Sequence, residues 1–187
     1  AMALLRLDAA FDIVGAQALR GYADTLPQQN WMPLVDGDRR LRFVYSVGPA
    51  IVLDASAGDG SFVVESGVNP GVAIEHWRGG PPLLAWESGY LAVVRETADT
   101  PAGRLHTHRF VAMNTLCVPI AASDAFFLRD PGAEWITGLA TRGDDSDLVI
   151  GFGAGTAPAW LATLPRAGVR TMLRPLPPTV ARWLPAS

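Results

Sequence analysis

Three stretches of this chain alternate apolar and polar positions and then turn back on themselves. In the first, Trp31-Met32-Pro33-Leu34-Val35 runs into the turn cluster Asp36-Gly37-Asp38, after which Leu41, Phe43 and Tyr45 recur at every second position. Alternation of that length is the mark of a half-buried strand, and Asp-Gly between two apolar runs is a hairpin signal. The second copy runs from Arg78 to Trp86, turns at Glu87-Ser88-Gly89 and returns through Tyr90 to Val94. The third runs from Glu134 to Ala140, turns at Arg142-Gly143-Asp144-Asp145 and returns through Leu148 to Phe152. The return strands start at Leu41, Tyr90 and Asp147. A hairpin unit recurring at roughly 50 residues reads as propeller blades.

The segments between these hairpins fill out the blades. Ala50 to Leu53 and Ser61 to Glu65 flank the turn Ala57-Gly58-Asp59-Gly60, and Arg104 to Met113 pairs with Thr115 to Ile120 around Asn114. The first two units therefore offer about four strands each, the number in a propeller blade. Ala3 to Leu7 is a short strand followed by a turn at Asp8 to Asp12, while Ile13 to Arg20 fits strand or helix equally. Glu96 to Gly103, polar and containing Pro101, reads as a connecting loop. Pro158 to Leu164 reads as a short helix, Val169 to Leu173 as a further strand, and Pro175 to Ser187 as a Pro-rich tail that ends in a helical turn. The expected fold is all-β. It is a partial β-propeller of about three four-stranded blades, with one short C-terminal helix, in a single domain spanning 1–187.

Composition narrows the function classes. The 187 residues are 49% hydrophobic and 18% charged, a globular balance, and 19 Gly with 15 Pro suit many short strands joined by turns. Every one of the 15 Lys+Arg positions is Arg, a planar donor suited to carboxylate, phosphate and sugar groups. A net charge of −3 leaves no basic stripe for nucleic acid. The single cysteine, Cys117, has no intrachain partner and reads as a small core residue. No apolar run reaches membrane-spanning length and the start lacks a signal-peptide layout, so the expectation is a cytoplasmic protein.

Propeller ligands sit at the central funnel, where the innermost strand of each blade opens. Those strands begin at Asn30, Arg78 and Glu134. Glu134 is the candidate general acid, because the apolar strand it precedes can desolvate it; the alternative is a hydrogen-bonded strand-end carboxylate. Arg78 can clamp an oxyanion or hydroxyl, or serve as a surface ion pair. Trp31 can stack on a sugar ring, or pack between blades. Arg95, His108 and Arg109 complete the substrate-binding candidates, with Glu96 beside Arg95 as either an acid/base partner or an ion pair. His106 and His108 share a strand face at a spacing that can bind metal, but no further ligand is near, so no metal or cofactor is expected. The acidic turn Asp144, Asp145, Asp147 lacks calcium-loop spacing, and Gly151-Phe152-Gly153-Ala154-Gly155 lacks a dinucleotide-binding context.

Asn30-Trp31-Met32-Pro33 leading to Phe43-Val44-Tyr45-Ser46 and Pro49, Arg78-Gly79-Gly80 before Ser88-Gly89-Tyr90-Leu91, His108 to Val111, and Glu134 to Leu139 with Phe152-Gly153 form an ordered set. This set resembles a group of bacterial five-bladed β-propellers associated with glycosyltransferases. That group is distantly similar to mannoside phosphorylases and hydrolases and to β-1,2-mannosyltransferases. The resemblance covers roughly residues 25 to 173 and implies two further blades before the first motif. Relatives usually carry Lys at the position of Gln29, His at Arg95 and Asp at Thr156. The resemblance implies a carbohydrate-active module that processes glycosides, with Glu134 as acid or charge stabiliser and Arg78, Arg95 and His108 orienting the substrate. The departures favour an alternative, a non-catalytic glycan-binding or scaffold domain serving a glycosyltransferase. The implied partners are an oligosaccharide, inorganic phosphate, and either a second copy or a segment supplying the missing blades.

Overall fold

The computed structural model describes residues 2–19, 30–55, 61–69, 71–101, 103–155, 159–177 and 182–183. The described residues are all-β with one short helix. The hairpin β1 (Met2–Leu7) and β2 (Ile13–Leu19) comes first. The first sheet follows as an antiparallel meander of β3 (Met32–Val35), β4 (Leu41–Val47), β5 (Ala50–Asp54) and β6 (Val63–Asn69). The second sheet repeats that order with β7 (Leu84–Trp86), β8 (Gly89–Thr100), β9 (Gly103–Met113) and β10 (Pro119–Ala122). The third is β11 (Glu134–Thr141), β12 (Asp147–Ala154) and β13 (Trp160–Pro165), after which α1 (Arg166–Met172) packs Val169 into the core. The two-residue strands β14 (Arg174–Pro175) and β15 (Arg182–Trp183) then add to the outer edges of the second and first sheets. Unpaired sheet edges invite association, and this return path covers two of them.

Side chains alternate between faces along a strand, so each sheet can bury both faces. In the second sheet, Ala92, Val94, Val111 and Met113 pack against Met32, Leu34, Val44 and Val52 of the first. The opposite face, with Leu91, Val93, Phe110 and Ala112, packs against Ile136, Leu139, Leu148, Ile150 and Phe152 of the third. The three sheets thus stack face to face in chain order, and the second is the shared centre. The outer face of the first sheet, Trp31, Phe43, Ile51 and Leu53, is covered by Met2, Leu4 and Leu19 of the β1–β2 hairpin. Cys117 lies buried in the core between the first two sheets.

The three hairpins fall where the alternation places them, and Ile13–Leu19 resolves as strand. Three segments differ from expectation. Glu96 to Gly103 is not a loop: β8 runs on to Thr100 and β9 starts at Gly103, joined through pairs such as Thr97 with His106 and Asp99 with Arg104. Cross-strand polar pairs hold a ladder without apolar alternation. The helix and strand near the C-terminus are exchanged. Trp160–Pro165 is a strand, paired residue by residue from Phe152↔Trp160 to Asp147↔Pro165, and the helix is Arg166–Met172. An apolar run this short does not distinguish the two by itself, and pairing with β12 decides. Gln29, Thr156, the turn at Ala57 to Gly60, Pro158 and most of the tail lie outside the described residues. Among the described residues no helix is long and apolar enough to cross a membrane.

Candidate functional site

The leading strands of the three sheets converge on one cavity of about 300 Å³. Asn30 and Trp31 enter it from the start of the first sheet, Gly79 and Gly80 from the segment before β7, and Trp135 and Thr137 from β11. Two glycines let these segments approach. A Cβ on Gly79 would run into the Asn30 carbonyl oxygen and the Met32 side chain, and one on Gly80 would sit 3.0 Å from the Ile136 carbonyl oxygen. Asn30 adopts φ 63°, a left-handed conformation that Asn tolerates better than most residues, and this steers the chain from the cavity into β3.

Arg95 and His108 form the polar wall. They are cross-strand partners in β8 and β9 and therefore share a face. His108 is 1% exposed, and burial pushes its pKa down to about 4; the Glu134 carboxylate opposes this, and Arg95 and His106 add to it. At neutral pH the ring is uncharged. Its Nε2 stands 3.9 Å from Glu134 Oε2, too far for a hydrogen bond, and a neutral ring makes no ion pair. The Arg95 guanidinium has its pKa lowered by burial and by the like charges of Arg78 and Arg104. Three buried side-chain nitrogens on residues lining the cavity lack a hydrogen-bond partner among the described residues: Trp31 Nε1, Arg95 Nε and His108 Nε2. Buried polar groups are nearly always paired, so a concentration of exceptions marks a functional locus.

The other sequence candidates are employed elsewhere. Arg109 follows His108 on the strand and so points to the opposite face. There it pairs with Glu96 at 2.7 Å, donates to the Ser123 carbonyl at 2.9 Å and lies over the Trp77 ring. Burial raises the Glu96 carboxyl pKa, but the hydrogen bond and charge of Arg109, the Trp77 indole and His76 outweigh it, and the net shift is downward. Arg78 exchanges both backbone hydrogen bonds with Arg95, yet its exposed side chain folds back onto the Glu75 and Trp77 carbonyls. Trp31 is 3% exposed and packs edge-on against Phe43, Tyr45 and Phe62, so it offers the cavity no open ring face.

Glu134 is 1% exposed and does not line the cavity. Its carboxylate accepts the backbone N–H groups of Leu128, Arg129 and Asp130 at 3.0, 2.9 and 3.2 Å. It ties the loop before β11 to the start of that strand. The open aromatic surface belongs to its neighbour: Trp135 is 40% exposed, lines the cavity and leans on the His106 ring at 5.1 Å. His106 is itself fixed by Thr97 Oγ1 at 2.9 Å. The alternation that sends Glu134 inward sends Trp135 outward, a signal the sequence carries once the inward residue is known. Among the described residues no three His, Cys, Asp or Glu side chains gather as metal ligands. Asp144 accepts the Ser146 amide and hydroxyl, closing the acidic turn on itself.

The site thus offers an exposed indole, small polar groups at Asn30 and Thr137, and a guanidinium unpaired among the described residues, around a concave space of about 300 Å³. Compared with family models, with curated proteins and with solved structures, the chain matches none.

Proposed function

We propose that this chain is a glycan-recognition module built as part of a β-propeller, whose funnel is the cavity between the three leading strands. The observation that carries the reading is the convergence of those strands on one concave site. An open Trp135 face lies there beside polar groups that have no hydrogen-bond partner among the described residues. Ligand sites of this kind combine apolar and aromatic walls with a few placed polar groups, and this one is at the small end of their range. It suits the terminal unit of a glycan rather than a long stretch of chain.

Binding is favoured over turnover. Glycoside hydrolysis uses a pair of carboxyl groups flanking the scissile bond, and among the described residues no carboxylate lines this cavity. Glu134, the sequence candidate for the acid, has its oxygens occupied by backbone amides. The propeller reading is supported by the repeated meander and by apolar residues left open at both ends of the stack. Leu5, Leu7 and Ile13 lie on the outer face of β1–β2 and are 50%, 51% and 64% exposed, and Leu161 of β13 is 77% exposed, surfaces of the type a further blade covers. Association with a glycosyltransferase belongs to the same proposal.

Ligand-observed NMR with a panel of oligosaccharides, mannosides included, in phosphate and phosphate-free buffer tests the reading. Saturation transfer without new anomeric signals is the expected result. New anomeric signals would establish turnover and overturn it, and their dependence on phosphate would separate phosphorolysis from hydrolysis.

A further inference from the structure

Among the described residues four arginines are half-buried: Arg42, Arg95, Arg109 and Arg166. Three of them face a carboxylate, Arg42 with Asp36 at 3.5 Å, Arg109 with Glu96 at 2.7 Å and Arg166 with Asp145 at 2.7 Å. Arg95 is the exception. Among the described residues its guanidinium has no carboxylate partner and its Nε no hydrogen-bond acceptor, and the nearby charges that act on it, Arg78 and Arg104, have its own sign. Arg78 stands directly opposite it across the paired backbone, with hydrogen bonds of 2.9 and 2.7 Å, and like charges in that relation destabilise a sheet. Among the described residues the one buried carboxylate is Glu134, which is committed to three amides and stands 3.9 Å from His108 Nε2. A partly desolvated charge facing a cavity needs an opposite charge, and here the cavity is where one can come from.

We infer that the ligand of this cavity carries a carboxylate, as on a uronic acid at the end of a glycan, seated on the Arg95 guanidinium while its ring lies against Trp135. The inference rests on the glycan reading and specifies its substrate class. One planar guanidinium matches one carboxylate as a two-pronged donor. A phosphate group brings nearly twice the charge and calls for a second cation, and the Arg78 guanidinium is turned away onto carbonyl groups.

The test titrates the full chain with matched pairs of oligosaccharides ending in a uronic acid or in the neutral sugar, in gluco, galacto and manno forms. Hexose 6-phosphates and acetate are run alongside, and the indole N–H signals of Trp31 and Trp135 are followed by NMR. The uronate of at least one pair should bind about 10- to 100-fold more tightly than its neutral counterpart. Arg95→Gln, which removes no hydrogen bond to a described residue, should erase that preference, so that the uronate and its neutral counterpart bind alike. Arg95→Lys, a charge without the planar fork, should keep part of it. Equal affinity within every pair overturns the carboxylate inference and leaves glycan recognition standing. A preference for the hexose phosphates overturns it in favour of a phosphate site. Arg95-dependent binding of acetate with no response to any sugar supports the anion seat and overturns the glycan reading. Silence from every probe overturns both.

Discussion

Replacing Glu134 separates a structural carboxylate from a catalytic one. Its two oxygens take three backbone N–H groups, Leu128 on Oε2 and Arg129 with Asp130 on Oε1. In Glu134→Gln the amide oxygen can keep one side of this arrangement, but the NH₂ group then faces an amide donor with a donor. One or two charge-assisted hydrogen bonds are lost and at least one amide is left without its acceptor, at about 1–3 kcal/mol each. The donors sit in a half-buried loop where water replaces part of the loss, so the expected destabilisation is about 2–3 kcal/mol. Glu134→Ala orphans all three amides and opens a void, and should cost about 3–6 kcal/mol. Urea unfolding followed by tryptophan fluorescence reads both as lower midpoints at unchanged slope. Sugar binding by the folded fraction should persist in Glu134→Gln, because the carboxylate does not line the cavity. A variant that unfolds at the wild-type midpoint and yet loses a glycoside-processing activity would refute this reasoning.

Three further outcomes follow from the same geometry. The folded-state pKa of His108 is depressed to about 4 by burial, so between the unfolded value and about 4 the unfolded chain binds the proton and the folded chain does not. Stability is therefore full above about pH 6.5 and falls as pH drops, by about 2 kcal/mol between pH 7 and pH 5, and His108→Gln should flatten that part of a urea-midpoint profile. Glu96, also depressed, adds its loss at lower pH, as the medium falls through the carboxylate range. Gly79→Ala should destabilise the protein by about 1–3 kcal/mol or more and weaken ligand binding as well. Its methyl group meets backbone oxygen at the joint of two leading strands, whereas Gly143→Ala, with open space around it, should do neither. Trp135→Ala should change the unfolding midpoint little, since the ring is 40% exposed, but weaken sugar binding at least about tenfold by calorimetry.

The three hairpins were legible because each carries its own turn chemistry between alternating runs, information that is local. The convergence of Asn30, the Gly79-Gly80 pair and the start of β11 was partly legible too, since equivalent strands of repeated units open at the same place. What escaped is information that only packing supplies. Arg109 and His108 are neighbours in sequence, yet the two-residue period places them on opposite faces, one at the cavity and one with Glu96 and Trp77. Trp135 stands in the sequence behind a charged neighbour that draws the eye first, although an inward Glu134 obliges an outward indole. Trp160 to Pro165 reads equally as helix or strand until β12 is there to pair with it. The helix that follows contains Gly168 and the β-branched Val169 and Thr171, a weak local signal, and it holds by burying Val169.

The central claim, that the cavity among the leading strands binds a glycan without cleaving it, is tested most directly by a crystal structure of the chain with the best-binding oligosaccharide. The account predicts an intact terminal sugar lying on the Trp135 ring, with an oxygen within hydrogen-bonding distance of the Arg95 guanidinium. A sugar bound at another surface, or a cleaved one in this cavity, would contradict it.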